Sequence, residues 1–378
     1  MSVSFATFGR LRRAGRTLVI GTVAVGAAAG SGAFAQTAPA RPAAVAVHAQ
    51  RLGIATGAVF WGESASARQH ELADLHSLGV RWVRTVFPWD AIERKGPTRE
   101  QWAKADAIVS EANAAHISLI AQIIGAPSWA VPGGLRPGEH SDYGTNPALY
   151  ARFVAKFAAR YAPRGVRVFE LGNEPNHVRP GNPAPNPRTY AALLCTTHAA
   201  VHAAVPNSTV LNGGLGGTKT AKGEISGPTF LRALYADGAR GCLDGLSYHP
   251  YTYPQLAPDN GTRGWSGMLS ARQAMVDNGD AAKKVWATEY GAPTNGAIAS
   301  HFTSTVPAQR QQTQASILTN GYRLFDSYSW AGPMCWFDYQ DKGTDPRNQD
   351  DWFGLRAHNG APKPAYNAYA ALGRNARA

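Results

Sequence analysis

Eight short apolar runs recur beyond residue 50, each followed by a stretch with helical periodicity. They are 53–60, 82–87, 118–124, 166–171, 209–213, 245–248, 285–288 and 333–338. Strands that alternate with helices form parallel βαβ units. Eight such units point to closure as a (β/α)8 TIM barrel in one domain. The rival is an open doubly wound sheet. It would need a glycine-rich phosphate loop after the first strand, and the chain has none there.

The helices carry start signals. Asn146-Pro147 and Asn186-Pro187 each set a capping side chain before a proline suited to the first helical position. Pro228 and Pro307 open two more helices, and Thr98 with Gln101 has the spacing of a capping box. Leu149, Phe153, Phe157 and Tyr161 repeat at intervals of four, the spacing of a buried helical face.

The first residues read as an export signal. Arg10, Arg12, Arg13 and Arg16 precede an uncharged stretch, 17–34, which ends in Ala33-Phe34-Ala35. This is the order of a cleaved signal peptide, residues 1–35, with cleavage after Ala35. The stretch is too rich in Gly and Ala to make a good membrane span. Residues 36–50 read as a short linker, and 51–378 as the catalytic domain. Export permits disulfides. Cys195 lies on an expected helix and Cys242 just before an expected strand of the neighbouring unit, and their separation is open at this level. Cys335, within an apolar strand, reads as a buried small hydrophobe.

The 378 residues carry a formal net charge of +12, four charges of which leave with the signal. A basic surface suits an anionic glycan or cell envelope, and equally a soluble alkaline protein with no such partner. No dense Lys/Arg tract points to nucleic acid. No Cys/His spacing indicates a metal site, and no motif calls for a cofactor.

Two glutamates stand at strand ends. Glu174 follows the fourth apolar run in Phe169-Glu170-Leu171-Gly172-Asn173-Glu174-Pro175, and Glu289 follows the seventh in Ala287-Thr288-Glu289-Tyr290. Alone, each could be a solvated loop acid. Strands four and seven place both on the catalytic face of a barrel. Glycosidic cleavage with retention needs such a pair: one carboxyl protonates the leaving oxygen, and the other attacks the sugar carbon.

Asn173-Glu174-Pro175, with Glu289 ending strand seven, resembles clan A of the glycoside hydrolases, retaining enzymes on (β/α)8 barrels. The likeness runs from the first strand to the closing helix. It implies Glu174 as acid/base and Glu289 as nucleophile. It implies that Arg84 holds the nucleophile ionised and that Asn173 binds the sugar 2-hydroxyl. It places His249 and Tyr251 beside the pair and Trp336 under the first sugar. Read from the residues alone, Arg84 could be a surface arginine, Asn173 a turn cap, His249 a structural histidine and Trp336 barrel core. Family 5 cellulases usually carry a histidine at the end of strand three. Here Pro127-Ser128-Trp129 stands instead, closer to family 39 and its bacterial members linked with exopolysaccharides.

Trp61, Trp89, Trp129, Trp265, Tyr143 and Tyr253 lie at strand ends or in long loops, where flat apolar rings suit stacking on sugars. Trp89 and Trp129 are taken as substrate-binding, and Trp82 and Trp102 as core. The expected function is hydrolysis of a β-linked poly- or oligosaccharide, with internal cleavage favoured over a chain-end β-glycosidase such as a β-xylosidase. A non-catalytic carbohydrate-binding barrel is the alternative of another class. A metal-dependent hydrolase would need clustered His and Asp at strand ends, where His249 stands alone. An aldolase would need a lysine within a strand, and Lys283 and Lys284 precede theirs.

Overall fold

The apolar runs form eight parallel strands that close in chain order into a barrel. They are β1 (Leu52–Gly57), β2 (Trp82–Pro88), β3 (Ser118–Ile124), β4 (Val168–Leu171), β5 (Thr209–Asn212), β6 (Gly245–Tyr248), β7 (Lys284–Tyr290) and β8 (Ala331–Trp336). The computed structural model describes residues 46–136, 141–179, 182–296 and 306–377. The expected signal peptide, 1–35, lies outside them.

Ten α-helices are described. The first five are α1 (Val59–Gly62), α2 (Ala65–Ser77), α3 (Trp89–Ile92), α4 (Ala103–Ala114) and α5 (Pro147–Tyr161). The others are α6 (Pro187–Ala204), α7 (Gly227–Ala236), α8 (Gly264–Asp277), α9 (Pro307–Asp326) and α10 (Pro364–Arg374). Asn146 and Asn186 cap α5 and α6 as the sequence predicts: their side chains accept from the Ala148 and Thr189 amides at 2.9 and 3.1 Å. Two expectations fail locally. The first strand stops at Gly57, whose φ of +56° leaves the extended region, so Val59 and Phe60 enter a helical turn. The Thr98/Gln101 box caps nothing, because α4 starts at Ala103 after an uncapped Trp102.

Side chains alternate across each strand. Outward residues such as Ile54, Val83, Phe169 and Val285 join the large core beneath the helices. Inward residues Ala55, Ile120, Val168, Leu211 and Cys335 form a second apolar cluster inside the barrel, against which Trp82 and Trp286 pack. Cys335 is a free, buried thiol, as expected. Two positions on from Trp82, Ile120, Val168 and Trp286, the same inward rows carry Arg84, Gln122, Glu170 and Thr288, all buried. The interior therefore turns polar toward the C-terminal ends of the strands, where barrel enzymes carry their chemistry.

At the opposite end the segment before β1 meets the segment after α10. The Ala49 amide donates to Arg377 O at 2.8 Å and the Arg377 amide to Val47 O at 2.9 Å. Asp326 gathers His48, Arg51 and Arg377. The expected linker thus gives way to packed structure by Val47, which is buried. Elsewhere, Cys195 on α6 is disulfide-bonded to Cys242 before β6, with Cα atoms 4.6 Å apart.

Candidate active site

Glu174 and Glu289 come together at the C-terminal mouth of the barrel. One ligand atom each from Glu174, His249 and Glu289 lies within 4.8 Å of the others. The turn after β4 sets the first of them. Gly172 and Glu174 both take left-handed φ values, +83° and +43°. For a residue with a Cβ that conformation is unfavourable, and it is held here by surrounding contacts. Buried Asn176 is one of these: its amide nitrogen donates to Gly216 O at 2.8 Å and Ile225 O at 2.7 Å.

Arg84 organises the other side. Its guanidinium donates to Glu289 Oε1 at 2.6 Å, to Glu170 at 2.5 and 3.1 Å, and to Asn173 Oδ1 at 2.9 Å. A buried cation flanked by two carboxylates keeps its charge. Tyr251 donates its hydroxyl to Glu289 Oε2 at 2.8 Å. Burial opposes ionisation of Glu289, but His249, Arg84 and the two hydrogen bonds outweigh it and hold the carboxyl well below its usual range.

His249 Nδ1 lies 2.9 Å from Glu174 Oε1 and 3.5 Å from Glu289 Oε2. Burial lowers its pKa to about 4, so the ring is neutral near neutrality. Its Nε2 has no hydrogen-bond partner among the described residues. Nδ1 therefore meets no competing tautomer demand: it donates to an ionised Glu174 and accepts from a protonated one. Gly214 makes room for this ring, since a Cβ there would stand 2.0 Å from Nε2.

Asn173 Oδ1 accepts from Arg84 and, at 2.9 Å, from Gln122 Nε2. Both partners are donors, which fixes the amide orientation and leaves the Asn173 NH2 to donate elsewhere.

The aromatic expectations divide. Tyr251 and Tyr253 border a cavity of about 240 Å³ beside Glu174, together with His177 and Arg263. Trp129 is half-buried, with its indole N–H on Glu93 O at 2.8 Å; Trp61 is also half-buried. Trp89 is not a sugar platform. It is fully buried, stacked on Phe153, and its N–H donates to Glu93 Oε2. Trp265 and Tyr143 are buried too. Trp336 is also a correction: it is fully buried, faces outward on β8 and packs against Tyr290. The next residue, Phe337, has inward parity, is partly exposed and packs against the interior cluster. The ring available at the mouth is therefore one position on. Trp82 and Trp102 pack against the core clusters as expected.

Three site residues escaped the sequence reading. Glu170 is wholly buried and receives, besides Arg84, the Gly214 amide at 2.9 Å and Ser247 Oγ at 3.0 Å. A glutamate at an inward position of an apolar strand was its signal. Arg179, in the loop after β4, donates to Glu174 Oε2; nothing in the sequence marked it. Asp338, after β8, is buried, and burial raises its carboxyl to about 6. The Glu174, His249 and Glu289 atoms are near enough to share a cation, but Arg84 and Arg179 already neutralise the two carboxylates.

No protein-family model matches the chain, and no curated protein matches it in sequence. Solved structures match in fold. A family 39 glycoside hydrolase from the gut symbiont Bacteroides cellulosilyticus superposes with a TM-score of 0.67 at 21% identity, over 86% of this chain and 64% of that one. A monomeric β-xylosidase from Caulobacter crescentus gives 0.63 at 18%, over 87% and 69%. A family 5, subfamily 18 enzyme from Streptomyces cattleya, in complex with Manβ1-4GlcNAc, gives 0.63 at 17%, over 86% and 80%. The chain thus spans about two thirds of the length of the first two.

Proposed function

We propose that this chain is a retaining glycoside hydrolase acting by double displacement. The observation that supports it most is the approach of Glu174 and Glu289 to within 4.8 Å. Retaining pairs stand about 5–5.5 Å apart and inverting pairs about 6.5–9.5 Å, the larger gap leaving room for a water. Glu289, ionised through Arg84 and Tyr251, attacks the anomeric carbon as Glu174 passes its proton to the leaving oxygen. Glu174 then takes a proton from water, which attacks the same carbon and releases Glu289. His249 stays bonded to Glu174 in both protonation states. The Asn173 amide is placed to donate to the sugar 2-hydroxyl, a contact that strengthens in the transition state.

Glu289→Ala should lower turnover by about 10⁴-fold or more, with azide restoring it to give a product of inverted anomeric configuration. Glu174→Ala should slow natural substrates far more than aryl glycosides with activated leaving groups. Ordinary turnover by Glu289→Ala would remove the nucleophile assignment.

The substrate is a β-linked poly- or oligosaccharide of bacterial or plant origin. Internal cleavage remains one reading. The burial of Trp89, Trp265, Trp336 and Tyr143 removes most of an extended stacking row and favours chain-end action on a short glycan. A time course of product lengths from a β-glycan panel separates the two: single sugars from the outset for chain-end action, a ladder for internal cleavage. The chain is exported, with residues 1–35 removed. The Cys195–Cys242 bridge supports an oxidising compartment, and N-terminal sequencing of secreted protein should begin at Gln36.

A further inference from the structure

Away from the catalytic mouth, α6 and the segment before β6 meet in a seam of unusual chemistry. Cys195, His198 and His202 lie three and four residues apart, on one face of α6. Opposite them stand Cys242 and Asp244, just before β6. The disulfide joins the first pair. The second group is a cluster: His198 Nε2 lies 3.3 Å from Asp244 Oδ1, and His202 Nε2 lies 2.8 Å from Asp244 Oδ2. One ligand atom from each of the three falls within 4.8 Å of the others. The rings are 4.3 Å apart, and all three side chains are partly open to solvent.

The hydrogen bonds behind the cluster resemble those behind a metal ligand. His202 Nδ1 lies 3.1 Å from Pro206 O. A carbonyl only accepts, so Nδ1 carries the proton, and a neutral His202 turns the Nε2 lone pair toward Asp244. In that neutral form two acceptors face each other at 2.8 Å, a contact that either a second ring proton or a bound cation satisfies. Asp244 Oδ2 is itself held by the Val210 amide at 2.7 Å, and Oδ1 faces His198 Nε2 at 3.3 Å. Such carbonyl and amide supports are the usual way a protein fixes the tautomer and angle of its metal ligands. Bonds of about 2.0–2.1 Å in a tetrahedron put ligand atoms about 3.3–3.4 Å apart. The His198–Asp244 pair already has that spacing.

We propose that His198, His202 and Asp244 bind one divalent ion of the zinc class, clipping α6 to the start of β6 on the N-terminal side of the barrel. Two imidazoles and a carboxylate select Zn²⁺, Co²⁺ or Ni²⁺ over Mg²⁺ and Ca²⁺. The neighbouring disulfide holds both ligand-bearing segments in register, so little ordering remains for the ion to impose. Three protein ligands leave a fourth position for water.

The test is calorimetric titration of ZnCl₂ into the disulfide-intact, EDTA-treated and exchanged protein at pH 7.5. The expected result is one ion per chain, binding at least tenfold weaker in His198→Ala, His202→Ala and Asp244→Asn, and no heat from MgCl₂. At a hundredfold excess over Kd, the midpoint of thermal unfolding should rise by about 2–5 °C in the wild type alone. Near-ultraviolet circular dichroism checks that the variants are folded. Absence of zinc binding overturns the proposal, as does undiminished binding in the His198 and His202 variants, which would direct the ion to Glu174, His249 and Glu289. Should the variants unfold, substoichiometric Co²⁺ should broaden the ring-proton signals of His198 and His202 in the wild-type spectrum. Broadening of His249 instead is equally fatal.

Discussion

At the scale of single residues, Glu289 and Asp338 stand on neighbouring strand ends and behave oppositely. Glu289 has two hydrogen-bond donors, one of them the Arg84 cation, so it stays charged although largely buried. Its favourable contribution to stability is present above the usual carboxylate pKa and is lost as pH falls through its lowered folded value. Asp338 has Lys342 at 3.3 Å, but one oxygen lacks a hydrogen bond among the described residues. Burial raises it from 3.8 to about 6, so the folded state favours its neutral form. The cost of its charge is absent below pH 3.8, grows between 3.8 and 6, and is complete above 6. Asp338→Asn should therefore gain stability over the wild type as pH rises, by up to about 3 kcal/mol between pH 3.5 and 7.5. Denaturant unfolding of both proteins at the two pH values checks it, and a gap that shrinks with rising pH would refute it. The buried neutral His249 works the other way. The unfolded chain takes up its proton near 6.5 and the folded one near about 4, so stability is lost as pH falls across that window.

At the scale of elements, the site depends on how closely β5 and β6 approach beyond their ends. The His249 amide donates to Leu215 O at 2.8 Å, and Leu215 pairs with Tyr248 in an isolated bridge. This brings the backbone of Gly214 under the imidazole. Gly214→Ala would insert a methyl group where Nε2 now lies, and the ring would have to move. A displacement near 1 Å at a catalytic contact costs about 10²-fold in rate. We expect kcat to fall by that order with little change in far-ultraviolet circular dichroism. Unchanged kcat would show that the position of His249 does not matter to turnover.

At the scale of the whole molecule, the barrel separates chemistry from fastening. Arg84, Glu170, Asn173, Glu174, His249 and Glu289 gather at the C-terminal mouth, while the disulfide and the contacts of Val47 and Ala49 with Arg377 lie away from it. The Cys195–Cys242 bridge spans 47 residues of sequence. Closing a loop of that length in the unfolded chain corresponds to about 4 kcal/mol of stabilisation. Cys195→Ser with Cys242→Ser should lower unfolding free energy by about 2–4 kcal/mol and leave kcat close to wild type, because the bridge is remote from the mouth. A loss below about 0.5 kcal/mol would mean that the unfolded chain is already constrained there.

The sequence by itself determined the periodic features. Alternation of apolar runs and helices specified the barrel, asparagine–proline pairs specified two helix starts, and strand-end position picked out Glu174 and Glu289. These are local patterns, repeated often enough that tertiary context did not overturn them. The tertiary structure decided what depends on parity and on distant neighbours. Strand alternation turned Trp336 outward and Phe337 inward, a difference of one residue that an apolar run does not register. Trp89 was drawn into the core by Phe153 and Glu93, which are remote or unremarkable in sequence. Glu170 acquired its role only when closure brought Arg84, Gly214 and Ser247 around it. Whether Cys195 could reach Cys242 was likewise a question of packing, since a helix and the next strand but one share no short-range pattern.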